Sequence, residues 1–115
     1  RALVERGPLT VALAAKGWHF YGGGVLDGAC DKDAVIDHAV VLLGFGTEGK
    51  TGKRFWHMQN SWGPDWGEEG RVRLARLADE EAQCGVDREP QLGAACAKNR
   101  DGTRKSKPLE PVEVC

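Results

Sequence analysis

Apolar positions along this chain fall into short runs with the period of β-strands and no sustained helical spacing. Residues 8–15, PLTVALAA, follow Gly7 and open on Pro8, so they read as a buried strand, with a short helix as the alternative. The segment VIDHAVVLLGF, Val35 to Phe45, is the strongest strand signal, being rich in β-branched residues and bounded by Gly44 and Gly46. A polar loop over 47–53 joins it to RFWHMQ, which predicts an antiparallel pair. After Asn60, the stretch SWGPDWGEEG holds too much Gly, Pro and Trp for a helix. RVRLARL, Arg71 to Leu77, alternates basic with apolar residues and places Val72 and Leu74 on one face of a half-exposed strand. Beyond Asp87 the chain turns polar. KNRDGTRKSK, residues 98–107, reads as a solvated loop, and PLEPVEVC as an edge strand or a frayed tail. No internal repeat is found, and the sum is a mostly antiparallel β domain.

Composition narrows the class without naming an activity. A chain of 115 residues is one domain or one lobe of a larger unit, burying roughly two-thirds of its unfolded surface. Its net charge of -1 supplies no field to attract nucleic acid or an anionic membrane. No apolar run approaches the roughly eighteen residues a spanning helix needs. The start at Arg1, without Met or a signal-like segment, implies a processed or partial product. The triple glycine Gly22, Gly23 and Gly24 follows Trp18, Phe20 and Tyr21, but no GK[ST] or helix comes after it, so it is not a phosphate loop. The four cysteines, Cys30, Cys84, Cys96 and Cys115, allow three pairings and suit an oxidising compartment, with free cytosolic thiols as the alternative. None forms a CxxC and no His pair has ligand spacing, so neither a metal nor another cofactor is expected.

The chemistry centres on His38 and Asn60. His38 shares a strand face with Ile36, Val40 and Leu42, where an isolated histidine is most often a satisfied core residue. Asn60 alters that reading, because it ends the neighbouring strand of the expected hairpin. An amide oxygen accepting from one ring N–H fixes the tautomer and leaves the other nitrogen for proton transfer. Trp62, two residues on, can exclude water from the pair and strengthen its hydrogen bond. Base plus orienter is part of a nucleophilic triad of the Cys-His-Asn kind.

The ordered motifs make the resemblance specific. GPLTVALAA resembles the GPVSVAI strand of the papain-like cysteine peptidases, which include the lysosomal cathepsins, and FYGGGVLDGAC resembles their FYxxGIFxGxC turn. DHAVVLLGFG matches the stretch around the catalytic histidine, mapping to His38, and QNSWGPDWGEEGRVRL matches the NSWGxxWGExGxxR stretch around the catalytic asparagine, mapping to Asn60. The resemblance covers about residues 7–89 and implies an antiparallel, barrel-like β lobe of an α+β fold whose helical lobe is absent. By position it implies that Trp62 covers the pair on the leaving-group side, with Trp66 beside it. Ile36 and Asp37 would line the substrate groove. Glu89 falls at the base of the principal side-chain pocket, where a carboxylate would favour Arg or Lys next but one before the scissile bond; an exposed charge before Pro90 is the equal alternative. Cys30 and Cys84 match a disulfide of the family, worth roughly 4 kcal/mol in the chain-entropy account.

The sequence also departs from that pattern. No CGSCW-type nucleophile motif and no upstream oxyanion glutamine is present. The chain reads as a lobe over 1–90 and a polar extension over 91–115, with a second disulfide expected between Cys96 and Cys115. Two functions follow. In the first, a helical lobe or chain carrying the nucleophile joins this lobe to hydrolyse peptide substrates in a lysosomal, vacuolar or secreted setting. In the second, the lobe is a catalytically silent structural or interaction subunit of a larger assembly.

Overall fold

The computed structural model describes residues 1–27, 31–79, 84–93 and 110–114. Its frame is a five-stranded sheet in the order β1-β3-β4-β5-β2, built from β1 (Leu9–Leu13), β2 (Val25–Leu26), β3 (His38–Thr47), β4 (Arg54–Gln59) and β5 (Arg71–Ala75). A short helix α1 (Ala2–Arg6) precedes it. A two-stranded sheet pairs β6 (Gly85–Asp87) with β7 (Val112–Val114), and α2 (Pro90–Gly93) follows β6. The lobe is mainly β, as the strand periodicity predicts. The large sheet stays open, with β1 and β2 at its edges, rather than closing into a barrel.

The β3–β4–β5 meander is the predicted antiparallel arrangement, and β4 keeps the bounds of the RFWHMQ run. A register shift between Leu42 and Gly44 bends β3 in its middle. The strand expected from Val35 instead begins at His38. Just before it, Asp37 N–H still donates to the Leu13 carbonyl of β1 (3.2 Å) and the Asp37 carboxylate accepts the Ala15 N–H (3.0 Å), while Ile36 N–H turns to the Asp87 carboxylate (3.1 Å). β2 pairs with β5 in parallel, a contact between residues far apart in sequence.

One face of the sheet carries the core. Val40, Met58 and Val72 are buried there, and Trp18, Tyr21 and Ala15 lie over them from the crossing segment between β1 and β2. Val11, Leu13, Leu42 and Leu74 pack around this cluster, so the alternation along each strand becomes the inner face. Trp18, in a single 3-10 turn (Trp18–Phe20), is the largest fully buried side chain. The glycine-rich turn after Tyr21 also has a place here. Tyr21 donates to the Gly24 carbonyl (2.6 Å), and Gly24 N–H donates to Glu68 (3.0 Å). Glu68 in turn accepts from Arg73, whose guanidinium also reaches Glu48 (3.0 Å).

Candidate functional site

His38 and Asn60 meet because β3 begins and β4 finishes at the same end of the sheet. His38 opens β3 and Asn60 follows β4, while the Asn60 N–H donates to the Gly70 carbonyl and closes the turn before β5. The imidazole Nε2 lies 2.7 Å from Asn60 Oδ1. The same oxygen accepts the Ser61 N–H at 2.8 Å, which identifies it as the carbonyl side of the amide. Nε2 therefore carries the ring proton and donates it, leaving Nδ1 as the acceptor. Among the described residues Nδ1 has no partner. Asn60 is buried at 5% exposure, whereas His38 is only half-buried, so the amide is enclosed and the imidazole is open on one side.

Four aromatic rings, those of Trp62, Trp66, Trp18 and His19, build the cover. Trp62 tilts against His38, with centroids 5.0 Å apart, and stands edge-on to Trp66 at 5.2 Å. Trp66 is held from behind, stacking on Trp18 and donating its indole N–H to the Trp18 carbonyl (2.9 Å). Trp66 thus braces the indole that touches the dyad, and its own ring lies one layer further in. His19 was not singled out by the sequence reading, yet it stacks face to face on the other side of Trp62, with centroids 4.4 Å apart and planes at 4°. Only its place in the aromatic run WHFY hinted at this position.

Two of the remaining candidates lie on the segment leading into His38. Ile36 is half-buried, and Asp37 is exposed while its carboxylate accepts the Ala15 N–H. Glu89 is exposed before Pro90, on the far side of Asp87. Asp87 is itself 2% exposed and also escaped the sequence reading, since a single Asp in a short strand carries no pattern. Its two carboxylate oxygens accept from Ile36 N–H (3.1 Å) and Glu89 N–H (2.9 Å), tying the two candidate groove segments together. Cys30, Cys96 and Cys115 lie outside the described residues, so both expected cysteine pairings do as well. Among the described residues no group of His, Cys, Asp or Glu side chains could hold a metal ion.

An ion network supports the site from the β5 side. Hydrogen bonding from Arg73 holds the Glu68 carboxyl below its ordinary value against partial desolvation, and the Gly24 N–H adds to it. Burial raises the Tyr21 hydroxyl, opposed by the Arg73 N–H. This network joins β5 to the turn before β2 and fixes the segment that carries Trp18 and His19.

Comparison with known proteins agrees with this geometry. The family model described as papain family cysteine protease matches residues 1–94. The chain is 37% identical over 117 residues to cysteine proteinase RD21A of Arabidopsis thaliana, covering 97% of this chain and 24% of that protein. It is 42% identical over 86 residues to cysteine protease 1 of Oryza sativa subsp. japonica, covering 72% of this chain and 17% of the relative. Among solved structures it is similar to the bromelain protease from Ananas comosus in complex with the E64 inhibitor. There the TM-score is 0.58 at 38% identity, over 66% of this chain and 35% of that one. It is likewise similar to digestive procathepsin L 3 of Tenebrio molitor larval midgut, with a TM-score of 0.59 at 35% identity, over 67% and 25% of the two chains.

Proposed function

This chain belongs to the papain family of cysteine proteases, and from that premise we propose that it is the carboxy-terminal β lobe of a thiol peptidase, supplying the base and its orienter. The observation that carries the proposal is the 2.7 Å contact between His38 Nε2 and Asn60 Oδ1 beneath Trp62. With Nε2–H committed to Asn60, Nδ1 receives the proton of a cysteine thiol brought by the nucleophile-bearing lobe, giving a thiolate–imidazolium pair. The thiolate attacks the scissile carbonyl, and His38 returns the proton to the leaving amine as the C–N bond breaks. Water, deprotonated by His38, then hydrolyses the thioester and frees the thiol. Asn60 acts throughout by holding the ring plane. Trp62 keeps water from that hydrogen bond and lines the leaving-group side.

Within the same reading, Ile36 and Asp37 line the groove, and Glu89 selects a basic side chain next but one before the scissile bond. Residues 1–90 form the lobe and 91–115 an extension. Disulfides join Cys30 to Cys84 and Cys96 to Cys115, in keeping with a vacuolar, lysosomal or secreted setting. The chain spans about a quarter of RD21A, so the nucleophile would come from sequence outside these residues.

A biotinylated epoxysuccinyl probe, which alkylates active papain-type cysteines, tests the proposal on native material. The probe-labelled species, isolated without reductant and identified by mass spectrometry, should contain this sequence together with a labelled CGSCW-like peptide. Recovery of this sequence in an intact assembly with no labelled cysteine would instead favour a silent structural lobe.

A further inference from the structure

The segment that ends at His38 and the segment that carries Glu89 are joined by a reciprocal pair of aspartates. Asp87 in β6 accepts the Ile36 N–H at 3.1 Å, and Asp33 accepts the Val86 N–H at 2.9 Å in the opposite direction. Among the described residues no β-ladder connects these segments, so the two carboxylates stand in for backbone pairing. Close approach is needed for that. A Cβ at Gly85 would strike the Lys32 carbonyl, and one at Gly93 would strike the Ile36 carbonyl. The second oxygen of Asp87 accepts the Glu89 N–H at 2.9 Å, so one buried carboxylate spans from the backbone two residues before His38 to the backbone of Glu89.

Resting on the peptidase reading, we propose that Asp87, aided by Asp33, is a positioning residue that sets Glu89 against the Ile36–Asp37 wall and thereby governs selection of the basic side chain. Asp87 touches neither the reacting atoms nor the dyad. A buried carboxylate that accepts two N–H groups from different segments fixes their separation in a way an apolar residue cannot, because any relaxation strands a buried donor. Asn at this position keeps the shape but places an NH2 against one of the two donors, so one bond is lost.

The test uses the complete peptidase, with its nucleophile present, in the unaltered form and as Asp87→Asn, Glu89→Gln, the double variant and Asp33→Asn. Two readouts are compared: kcat/KM for a peptide pair bearing Arg or Leu next but one before the scissile bond, and the rate of cysteine alkylation by iodoacetamide. Asp87→Asn should lower the Arg-over-Leu ratio about tenfold, the scale expected when a contact shifts by a fraction of an ångström to an ångström. The double variant should go no lower than the weaker single variant, since Asp87 acts through Glu89. Alkylation of the Asp87→Asn and Asp33→Asn variants should stay within about twofold of the unaltered enzyme, because neither residue touches the His38–Asn60 pair. Asp33→Asn, at an exposed position, should shift the ratio in the same direction by a smaller factor, and it carries the test if Asp87→Asn does not fold. An unchanged ratio accompanied by a lower melting temperature in either single Asp variant overturns the inference and leaves the clamp merely structural. An unaltered enzyme that is neither alkylated nor hydrolyses either peptide overturns the peptidase reading, and this inference with it.

Discussion

Asn60 Oδ1 receives two hydrogen bonds at once, from His38 Nε2 at 2.7 Å and from the Ser61 N–H at 2.8 Å. The amide cannot rotate to present its NH2 to the imidazole without losing both. The tautomer of His38 is therefore set by the backbone of the turn that follows β4, and not by the histidine's own surroundings.

Replacing Asn60 with Ala in the assembled peptidase should remove that constraint while leaving the imidazole in place. A hydrogen bond of this type contributes about 1.5–3 kcal/mol when one partner becomes charged. The corresponding fall in kcat is about ten- to a hundredfold. Steady-state kinetics on a peptide substrate checks it, and KM should change little because Asn60 is buried away from the groove.

Trp62→Ala should cost less. The ring contact with His38 is of a kind worth about 0.5–1.5 kcal/mol, so kcat should drop about two- to tenfold. The same variant frees His19 from its stack, which solution NMR of the His19 ring protons would register as a lost ring-current shift.

Glu68→Gln addresses the ion network. The folded-state carboxyl lies below the ordinary value of 4.5, so its contribution to stability is present above that value and is lost as pH falls through the depressed folded value. Unaltered protein should be more stable than Glu68→Gln by about 1 kcal/mol near neutrality. The gap should shrink as pH falls below 4.5. Urea denaturation of the two proteins across a pH series measures it. A gap independent of pH would contradict the assignment.

Trp18→Ala removes the largest fully buried side chain and the ring on which Trp66 stacks. Core truncations of this size cost about 3–5 kcal/mol, against a total of about 5–15 for an ordinary domain. Chemical denaturation should show a midpoint lowered accordingly, with Trp66 and Trp62 fluorescence shifted to the red in the native baseline.

The parts of the fold that were legible before the structure are those with local periodicity. RFWHMQ became β4 residue for residue, and Val72 and Leu74 share the core face that their alternation implied. The dyad was legible because His38 and Asn60 sit at the ends of two strands joined by a short loop, so strand pairing alone brings them together. What was not legible depends on tertiary contacts. Val35 and Ile36 are β-branched, yet the Ile36 N–H is taken by the Asp87 carboxylate from a distant segment, and the strand begins only at His38. β2 is two residues long and pairs with β5 across a wide sequence gap, leaving no pattern to read. His19 and Asp87 each act through one contact with a distant residue, and single contacts have no period.

The segment between β1 and β2 runs from one edge of the sheet to the other, past the end where His38 and Asn60 meet, and carries Trp18, His19 and Tyr21 as it goes. The meander that contains His38 and Asn60 is contiguous in sequence and carries Trp62 and Trp66 with it, whereas Trp18 and His19, which stack behind those indoles, are fastened only when both outer strands have found partners at β3 and β5. Assembly of the His38–Asn60 pair under Trp62 is thus a local event, and bracing of that cover is a non-local one of higher contact order. A partly opened lobe would hold the imidazole–amide pair beneath an indole that neither Trp18 nor His19 yet supports. The fold in this way makes the stiffness of the site depend on its own completion.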